Sequence, residues 1–518
     1  MSHPLRYVLV LALLWVGCSG PGGMEDSQPS DEPDDPPAET DEPEITYPSE
    51  PARIVIDEEG DDWESVPVRH TDPTGDGEQL DLGRFWVSHD DEHLFLRFEV
   101  EERLNLAENN DLTLYLDTDN DTTTGRRTRG LGAELTWTFG DRSGRFYTDG
   151  SSTEIGHAAI GLTSLPTVRA TTFEIALDRS AQPTGDAPLF MGDSIRVALA
   201  GPQDQLPDRD GGLGYAFSPA DLPSSPEASL DKPGGGLRLL GFNVLQGRLF
   251  ESEARDSYAR VLDNVDADVI GFSEVYDRSS EETADRVAAL TDTDGWHHAK
   301  LGLDLVAVSR YPIEETHAIP GYEDNQSGAF LLDADDALGS PVLLILTHPP
   351  CCNFDDAEPS RDARRQRVVD GIAAFLREVK QGDGPFAVPE NTPIVVAGDM
   401  NFVGDPQQPT TLRTGEIVNA DVFGPSEAPD WDDTALHDTN PRQTGAPSHA
   451  TWIEAESSFP PSRLDYVYIS DSVLEVENEY VLRTSTLSSD RRSSFGVERT
   501  DTETTSDHLP LVVDVVPR

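Results

Sequence analysis

Apolar and polar side chains alternate along much of the first half of the chain. Residues 93–100 and 112–116 are the clearest runs, and a period of two is the pattern of a β-strand with one buried face. Turn-forming residues separate these runs at short intervals, and no long helical period interrupts them. The pattern therefore predicts an antiparallel β-sandwich over residues 53–222.

The pattern changes after residues 223–236, where Gly, Pro and Ser predict a linker. Short apolar runs then alternate with segments of helical period, the longest of which covers residues 361–379. Strands and helices in this order predict an α/β four-layer sandwich, with two mixed β-sheets flanked by helices, over residues 237–518. The chain is thus predicted to hold two domains of different class.

The N-terminal residues predict a targeting signal. A short apolar run follows Arg6, is too short to span a bilayer, and ends at Gly17-Cys18. Residues 1–18 resemble a bacterial lipoprotein signal, and the resemblance implies a lipid anchor at Cys18. An ordinary secretory peptide is the alternative. Both predict export to the cell envelope, outer membrane or cell surface, or secretion. The acidic, Pro-rich residues 19–52 predict a disordered tether.

The chain carries 97 acidic against 38 basic residues, a formal net charge of -59. Such a field repels polyanions at long range, so we expect no broad binding of duplex DNA at low salt. The basic residues Arg364, Arg365 and Arg367 are predicted to lie on a solvated helix face with acidic partners rather than to contact substrate. The acidity fits a salt-rich habitat and a drift in composition equally well.

Polar side chains stand directly after most apolar runs of the second half. One such residue is usually a cap or a turn residue, but a whole set of cation-binding and proton-transferring types predicts a shared site. Hydrolysis of a phosphate ester needs a cation, a base for water and help for the leaving oxygen. In chain order the set is Asn243, Glu274, His348, Asp399, Asn401, Asp465, Asp507 and His508.

The segments around these residues resemble the endonuclease/exonuclease/phosphatase superfamily. The most telling are Gly398-Asp399-Met400-Asn401 and Ser506-Asp507-His508-Leu509-Pro510. The resemblance implies an exported, surface-tethered, divalent-metal-dependent phosphoesterase that hydrolyses phosphomonoesters or phosphodiesters. A secreted nuclease acting on DNA or RNA and an inert binding lipoprotein are the two alternatives.

The resemblance also implies a metal site. Glu274 matches the main ligand, and Asn243 and Asp507 match positions that complete or adjoin the site. Carboxylate and amide oxygens suit Mg²⁺ or Mn²⁺. The resemblance therefore predicts a cofactor of this class.

The other members of the set take catalytic roles by the same resemblance. Asp399 matches the residue that orients and deprotonates the attacking water. Asn401 and His348 match positions that hydrogen-bond the scissile phosphate. His508 would contact the phosphate or act as acid or base, and Asp465 would pair with its far ring nitrogen.

The predicted sandwich resembles the family 9 carbohydrate-binding modules, through Asp62-Trp63 and the acidic loop at residues 116–121. The resemblance implies a glycan partner, for which aromatic side chains would form a platform. An acidic loop with oxygen ligands at alternating positions predicts a structural Ca²⁺ site, or a solvated turn. The candidate platform residues are Trp63, Trp86 and Trp137, and the candidate calcium ligands are Asp117, Asp119 and Asp121.

Cys351 and Cys352 are adjacent in the sequence. If Cys18 is lipidated, they have only each other to pair with. A vicinal disulfide and two free thiols both fit this arrangement.

Overall fold

The computed structural model describes residues 46–47, 50–77, 80–148, 150–185, 187–220, 222, 227–322, 326–352 and 359–518. The predicted signal at residues 1–18, with its candidate lipidation site Cys18, and most of the predicted tether lie outside the described residues. The described residues belong to one compact unit that runs from Ile45 to Arg518. Among them, no helix combines the length and apolar character needed to cross a bilayer.

The N-terminal region, residues 50–222 together with strand β1, is built almost entirely from strands. Its strands are β1 (Thr46–Tyr47), β2 (His70–Thr71), β3 (Leu82–His89), β4 (His93–Leu104), β5 (Thr113–Asp117), β6 (Arg126–Thr128), β7 (Leu131–Ala133), β8 (Leu135–Thr138), β9 (Ser143–Thr148), β10 (Ser151–Ile155), β11 (Thr163–Leu165), β12 (Ala170–Asp178), β13 (Ser194–Ala200), β14 (Gln205–Leu206) and β15 (Leu213–Ala216). Two 3₁₀ helices, Asp62–Ser65 and His157–Ile160, interrupt them.

These strands form two main sheets with one shared apolar core. One sheet has the order β1-β15-β13-β5-β8-β9-β10, with β14 beside β13, and the other has the order β11-β12-β4-β3-β2. Apart from β1 with β15, neighbouring strands in both sheets are antiparallel. Side chains from both sheets, such as Phe98 and Leu114, meet in the core, because alternate residues of each strand face inward.

The three tryptophans considered for a sugar platform are not on the surface. Trp63 and Trp137 are each 1% exposed and Trp86 is 5% exposed. Trp86 is further covered by the guanidinium groups of Arg84 and Arg97, at 5.1 and 5.0 Å from its ring. These three rings belong to the apolar cores. The prediction that they form a sugar-binding platform is therefore wrong.

The C-terminal region, residues 227–518, contains two six-stranded mixed sheets with the orders β18-β19-β17-β16-β27-β26 and β20-β21-β22-β23-β25-β24. Parallel pairs lie at the middle of each sheet and antiparallel pairs flank them. The strands are β16 (Leu237–Asn243), β17 (Val269–Ser273), β18 (His297–Leu301), β19 (Leu305–Ser309), β20 (Ile313–Ala318), β21 (Ser327–Leu332), β22 (Val342–Thr347), β23 (Ile394–Asp399), β24 (His437–Asp438), β25 (Asp465–Ile469), β26 (Leu474–Val481) and β27 (Leu511–Pro517).

The described residues of this region also form helices. They are α1 (Arg255–Val265), α2 (Ser280–Thr291), α3 (Asp335–Leu338), α4 (Arg361–Gln381), α5 (Gln407–Thr414), α6 (Ala420–Phe423), α7 (Ser489–Phe495) and α8 (Asp501–Thr505), with a 3₁₀ turn at Arg248–Phe250. The longest, α4, starts where the Ser360 hydroxyl accepts from the Ala363 N–H at 3.2 Å and ends at Gly382, whose φ is 74°.

Three apolar clusters hold these layers together. Leu239 of one sheet and Val395 of the other share the central cluster. Helices α1 and α2 pack on the first sheet, and α4 packs on the second. The order helix, sheet, sheet, helix agrees with the four-layer arrangement predicted for residues 237–518.

Candidate active site

The eight candidate residues are brought together because their strands end at the same edge of the two sheets. Asn243 is the last residue of β16, and Asp399 is the last residue of β23. Asp465 begins β25 and lies directly opposite Asp399 in the antiparallel register. Glu274 and His348 follow β17 and β22 at once, so five residues from distant parts of the sequence meet.

Asn243 joins the two carboxylates at the centre of the site. Its Nδ2 donates to Oε1 of Glu274 at 3.1 Å and to Oδ2 of Asp399 at 2.9 Å. Glu274 has a φ of 64°, which is uncommon for a residue with a side chain. The backbone N–H of Gln246 donates to its Oε2 at 2.7 Å, and these contacts fix its carboxylate.

His348 is held by an aspartate that the sequence patterns did not reveal. Its Nδ1 lies 2.5 Å from Oδ2 of Asp304, and its Nε2 lies 3.5 Å from Oδ2 of Asp399 and 4.0 Å from Oε1 of Glu274. Burial disfavours a charge on His348, but the hydrogen bond with Asp304 and the charge of Asp399 raise its pKa to about 9.

His508 repeats the arrangement on the other side of Asp399. Its Nδ1 lies 2.8 Å from Oδ2 of Asp465, and its Nε2 lies 3.6 Å from Oδ2 of Asp399. Burial opposes its charge, yet the charges of Asp465 and Asp399 raise its pKa to about 10. Thr451 donates its hydroxyl to the same oxygen of Asp465 at 2.7 Å. The predicted pairing of Asp465 with the far ring nitrogen is present in the structure.

The two histidines therefore point their Nε2 atoms at one oxygen of Asp399. Burial raises the pKa of Asp399 to about 6, while the charges of His508 and His348 act in the opposite direction. A carboxylate with two imidazoles and an amide at one oxygen is well placed to exchange a proton near neutral pH. The arrangement supports acid–base chemistry at this point.

Asn401 and Asp507 line the same cavity but contact other groups. The Asn401 N–H donates to Oδ1 of Asp399 at 3.1 Å, and its Nδ2 donates to the carbonyl of Pro349 at 3.1 Å. Asp507 accepts from Nε1 of Trp452 at 2.9 Å. Both side chains are thus oriented by the protein.

The donor set fits a divalent cation. One ligand atom from each of Glu274, His348 and Asp399 lies within 4.8 Å of the others, and the same holds for Asp399, Asp465 and His508. Anionic oxygens from different strands, placed this close together, repel each other unless a cation or proton lies between them. Hard oxygen donors favour Mg²⁺ or Mn²⁺.

A cavity of about 620 Å³ opens over these residues, a volume typical of small-molecule sites. Six of the eight candidates line it, and Asn243 and Asp465 lie directly behind them. Apolar side chains complete its walls. The lining includes Glu274, His348, Asp399, Asn401, Asp507 and His508, and the apolar residues Leu106, Pro166, Leu303, Pro349, Trp452, Phe459 and Leu464.

The N-terminal region supplies part of the cavity wall. Residues 105–108, which follow β4, line the cavity together with the candidate catalytic side chains, as do Ser164, Pro166 and Thr167 around the end of β11. A site formed by the C-terminal region alone would be open at this point. The N-terminal region is therefore part of the active-site cleft.

Direct contacts hold this wall in place. Nδ2 of Asn105 donates to the carbonyl of Val403 at 3.0 Å, and the Arg463 N–H donates to the Thr167 hydroxyl at 3.0 Å. The guanidinium of Arg142 lies 4.2 Å from the centre of the Phe459 ring. Arg169 pairs with Asp362 at 3.2 Å and with Asp405 at 3.4 Å. Polar and aromatic contacts thus join the two regions on both sides of the cleft.

The arginines of α4 differ from the predicted solvated face. Arg365 is fully buried and donates to the carbonyls of Pro350 and Cys352 at 3.0 and 2.9 Å, so it is a structural residue. Arg361 and Arg364 line the cavity. Arg365 is therefore not solvated as predicted, although it has the predicted acidic partner, Asp362, at 3.0 Å.

Cys351 and Cys352 also line the cavity. Their Sγ atoms are 2.7 Å apart, and both thiols are free. Nη1 of Arg361 donates to the Cys351 carbonyl at 2.9 Å.

The acidic loop of the N-terminal region has a different set of neighbours from the one predicted. Asp117 and Asp119 converge with Glu134, and one oxygen of each lies within 4.8 Å of the others. Asp121 instead accepts from the N–H and the hydroxyl of Thr123, at 2.8 and 2.6 Å. Asp121 belongs to the turn, and Glu134 takes its place in the cluster.

Comparison with known proteins places the C-terminal region in a family. The profile of the Endonuclease/Exonuclease/phosphatase family matches residues 240–508, just over half of the chain. The chain belongs to this family, whose members are metal-dependent hydrolases that act on phosphoester bonds. No curated protein matches the chain.

Several solved structures are distantly similar. The human Nocturnin catalytic domain with bound sulfate is 16% identical, over 56% of this chain and 97% of its own, with a TM-score of 0.33. Sphingomyelinase C from Streptomyces griseocarneus is 17% identical, over 54% and 99%, with a TM-score of 0.31. A beta toxin from Staphylococcus aureus with bound magnesium ions is 16% identical, over 54% and 99%, with a TM-score of 0.32.

Proposed function

We propose that the chain is a divalent-metal-dependent phosphoesterase that hydrolyses small or single-chain phosphate esters in the cleft between its two regions. The observation that carries the proposal is the pair of aspartate-bound histidines, His348 and His508, whose Nε2 atoms lie 3.5 and 3.6 Å from one oxygen of Asp399. Glu274 lies beside them. This combination matches the requirements of phosphate-ester hydrolysis.

Glu274 would hold the cation, with Asn243 and Asp507 at or beside its coordination sphere. A bound Mg²⁺ or Mn²⁺ neutralises charge on the phosphoryl oxygens. The contacts of Asn243 and Gln246 keep the Glu274 carboxylate in place before the cation arrives. Preorganised ligands of this kind need no rearrangement during the reaction.

The remaining residues handle the water and the phosphate. Asp399 accepts a proton from the attacking water, whose oxygen bonds to phosphorus as the bond to the leaving oxygen breaks. His348 and His508 present Nε2–H groups to the phosphoryl and leaving oxygens, because their Nδ1 atoms are engaged by Asp304 and Asp465. The leaving oxygen takes its proton from one of these donors or from solvent.

The shape of the cleft favours substrates of limited width. Residues 105–108 face the catalytic side chains from the N-terminal region, which leaves a cavity suited to one ester group and its neighbours rather than to a broad duplex. The net charge of -59 also repels polyanions such as duplex DNA. We therefore rank small diesters, monoesters and single-stranded ends of nucleic acids above duplex DNA.

The setting of the enzyme is also a proposal. An exported protein anchored at Cys18 would act on esters outside the cytoplasm, at the cell envelope. Replacing Cys18 with Ser should move the protein from the membrane fraction to the soluble fraction. An unchanged membrane fraction would contradict a lipid anchor at this residue.

A structural Ca²⁺ in the N-terminal region is proposed at Asp117, Asp119 and Glu134. Oδ1 of Asp117 is buried and accepts no hydrogen bond from the described residues. Oε2 of Glu134 accepts from the Thr118 N–H at 2.8 Å, and its Oε1 accepts from the Thr124 hydroxyl at 3.0 Å, so both oxygens are held beside the cluster. Hard oxygen ligands suit Ca²⁺.

An activity screen tests the proposed function. The chain, treated with chelator and resupplied with Mg²⁺ or Mn²⁺, is assayed on bis-p-nitrophenyl phosphate, p-nitrophenyl phosphate, single- and double-stranded DNA, RNA, phospholipids, and sugar and inositol phosphates. We expect metal-dependent hydrolysis that falls at least about a thousand-fold in Asp399→Ala. Activity that survives chelation, or full activity in Asp399→Ala, would contradict the proposal. Cleavage of single strands alone would favour the nuclease alternative.

A further inference from the structure

Five aspartates of the N-terminal region converge on one point outside the active-site cleft. Three come from the segment before β3 and two from the turns around β14. One oxygen each of Asp72, Asp204 and Asp208 lies within 4.8 Å of the others, and the same holds for Asp76, Asp81 and Asp204. Asp204 belongs to both groups and is therefore the centre of this five-aspartate cluster.

Asp72 is buried in the cluster without a hydrogen-bond partner. Its side chain is 2% exposed, and neither carboxylate oxygen accepts a hydrogen bond from the described residues. Oδ1 lies 3.4 Å from Nε2 of His70, but neither atom makes a hydrogen bond within the described residues. A buried carboxylate with no partner is costly, so this side chain points to a ligand.

One carboxylate oxygen of Asp81 also lacks a hydrogen-bond partner among the described residues. It is 7% exposed, and its Oδ1 accepts no hydrogen bond from the described residues. Its Oδ2 accepts from the Gly75 N–H at 2.5 Å, and Oδ2 of Asp204 accepts from the Leu82 N–H at 2.6 Å. The backbone thus fixes two carboxylates of the cluster.

A cavity and one arginine adjoin the cluster. A cavity of about 280 Å³ adjoins the cluster and is lined by Asp76, Asp204, Asp208 and Arg129. Arg129 donates to the side chain of Gln205 and lies 5.5 Å from the Tyr115 ring.

We propose that the five-aspartate cluster is a second structural site for a hard divalent cation of the Ca²⁺ type. Asp72, Asp81 and Asp204 supply its buried ligands, and the exposed Asp76 and Asp208 supply the ligands at the solvent side. Ca²⁺ takes six to eight oxygen ligands in flexible geometry, which suits five carboxylates from two segments. The bound cation fastens the segment before β3 to the turns around β14.

Thermal unfolding in the presence of Ca²⁺ tests the site. The full chain is treated with chelator, and its Tm is followed as Ca²⁺ is added at constant ionic strength. We expect the wild type to gain at least about 3 °C, and Asp204→Asn to lose most of that gain. Asp208→Asn, at an exposed position, should weaken Ca²⁺ binding measured by calorimetry about tenfold. Asp285→Asn, on the exposed face of α2, is the matched control and should behave as the wild type.

The two proposed Ca²⁺ sites of the N-terminal region are separated by their variants. Glu134→Gln removes a ligand of the Asp117 site only. The Tm of this variant should therefore still rise by the amount that Ca²⁺ binding at the five-aspartate cluster contributes, which is the amount lost in Asp204→Asn. A gain that is unchanged in both Asp204→Asn and Asp72→Asn would overturn the proposal. A wild-type gain no larger than that produced by NaCl of equal ionic strength would also overturn it.

Discussion

Asp304 lies 2.5 Å from Nδ1 of His348, and this contact makes the two histidines of the site equivalent. His508 has its own aspartate, Asp465, at 2.8 Å from the corresponding nitrogen. In each pair the carboxylate fixes the tautomer and turns Nε2 toward Asp399. The same Asp304 oxygen also accepts from the Glu274 N–H at 3.1 Å, so one residue positions both the proposed phosphate donor, His348, and the proposed cation ligand, Glu274.

Replacing Asp304 with Asn should therefore lower activity without unfolding the chain. Loss of the charge releases His348 and lowers its pKa, and we expect kcat to fall about ten- to a hundred-fold. The pH–rate profile should shift with it, which a purely structural effect would not produce. Asp336→Asn, on the exposed face of α3, serves as the control. Wild-type kcat in Asp304→Asn would refute the positioning role.

The assignment of Glu274 as cation ligand predicts a change in metal dependence. Glu274→Gln removes one negative charge from the cluster with His348 and Asp399. The Mg²⁺ concentration for half-maximal activity should rise at least about tenfold, and the control Glu281→Gln on α2 should leave it unchanged. An unaltered Mg²⁺ requirement in Glu274→Gln would place the cation elsewhere.

The wall formed by residues 105–108 predicts an effect on polyanions. Glu108 lines the cleft, and its carboxylate repels approaching phosphates. Glu108→Lys should lower the Ki of a single-stranded oligonucleotide against a small diester about three- to tenfold at low salt, and less at high salt. The same substitution at the exposed Glu102, on β4, should have little effect. Equal effects of both variants would show that only net charge matters.

Glu174 predicts a pH dependence of stability. Burial, followed by the charges of Asp57 and Asp62, raises its pKa from 4.5 to about 9. Between pH 4.5 and 9 the folded state therefore keeps a proton that the unfolded state loses. The contribution of Glu174 to the free energy of unfolding is complete below pH 4.5 and is lost as the pH rises toward 9. From this group, the free energy of unfolding falls by at most about 1.4 kcal/mol per pH unit.

Glu174→Gln removes this dependence. Its Tm should match that of the wild type near pH 4.5 and exceed it increasingly up to pH 8. The exposed Glu154→Gln should follow the wild type throughout. A constant difference in Tm between Glu174→Gln and the wild type across this range would show that the carboxyl does not titrate as described.

The Ca²⁺ site at Asp117, Asp119 and Glu134 predicts a contrast between two acidic residues. Glu134→Gln should weaken Ca²⁺ binding, measured by calorimetry in the Asp204→Asn background to isolate this site. Asp121→Asn should not, because Asp121 is occupied by Thr123. If Asp121→Asn weakens Ca²⁺ binding and Glu134→Gln does not, the ligands are Asp117, Asp119 and Asp121, as expected from the sequence.

The sequence selects candidate residues that the structure brings together, because these residues lie next to apolar strands whose ends meet at one edge of the two sheets. It does not reveal Asp304, which follows the turn residues Gly302 and Leu303 rather than an apolar run. His297 and His298 likewise begin strand β18, although their exposed positions show no apolar alternation. Local patterns therefore locate residues at strand ends and miss those placed by turns.

Contacts between distant segments are also hidden from local patterns. Glu134 replaces Asp121 in the acidic cluster because the β6–β7 hairpin folds back toward β5, which spacing alone does not indicate. Arg365 is buried because the carbonyls of Pro350 and Cys352 need donors. The cleft wall at residues 105–108 depends on how two separately patterned regions pack, and neither pattern contains that information.

The entrance of the proposed active site is formed by a different region from the one that holds the candidate catalytic residues. Residues 105–108 and 164–167 belong neither to the proposed cation ligands nor to the groups that handle the water. Substitutions there can alter which ester fits while the chemistry stays intact. Natural selection and laboratory evolution thus have two short segments through which the substrate range of this protein can be changed.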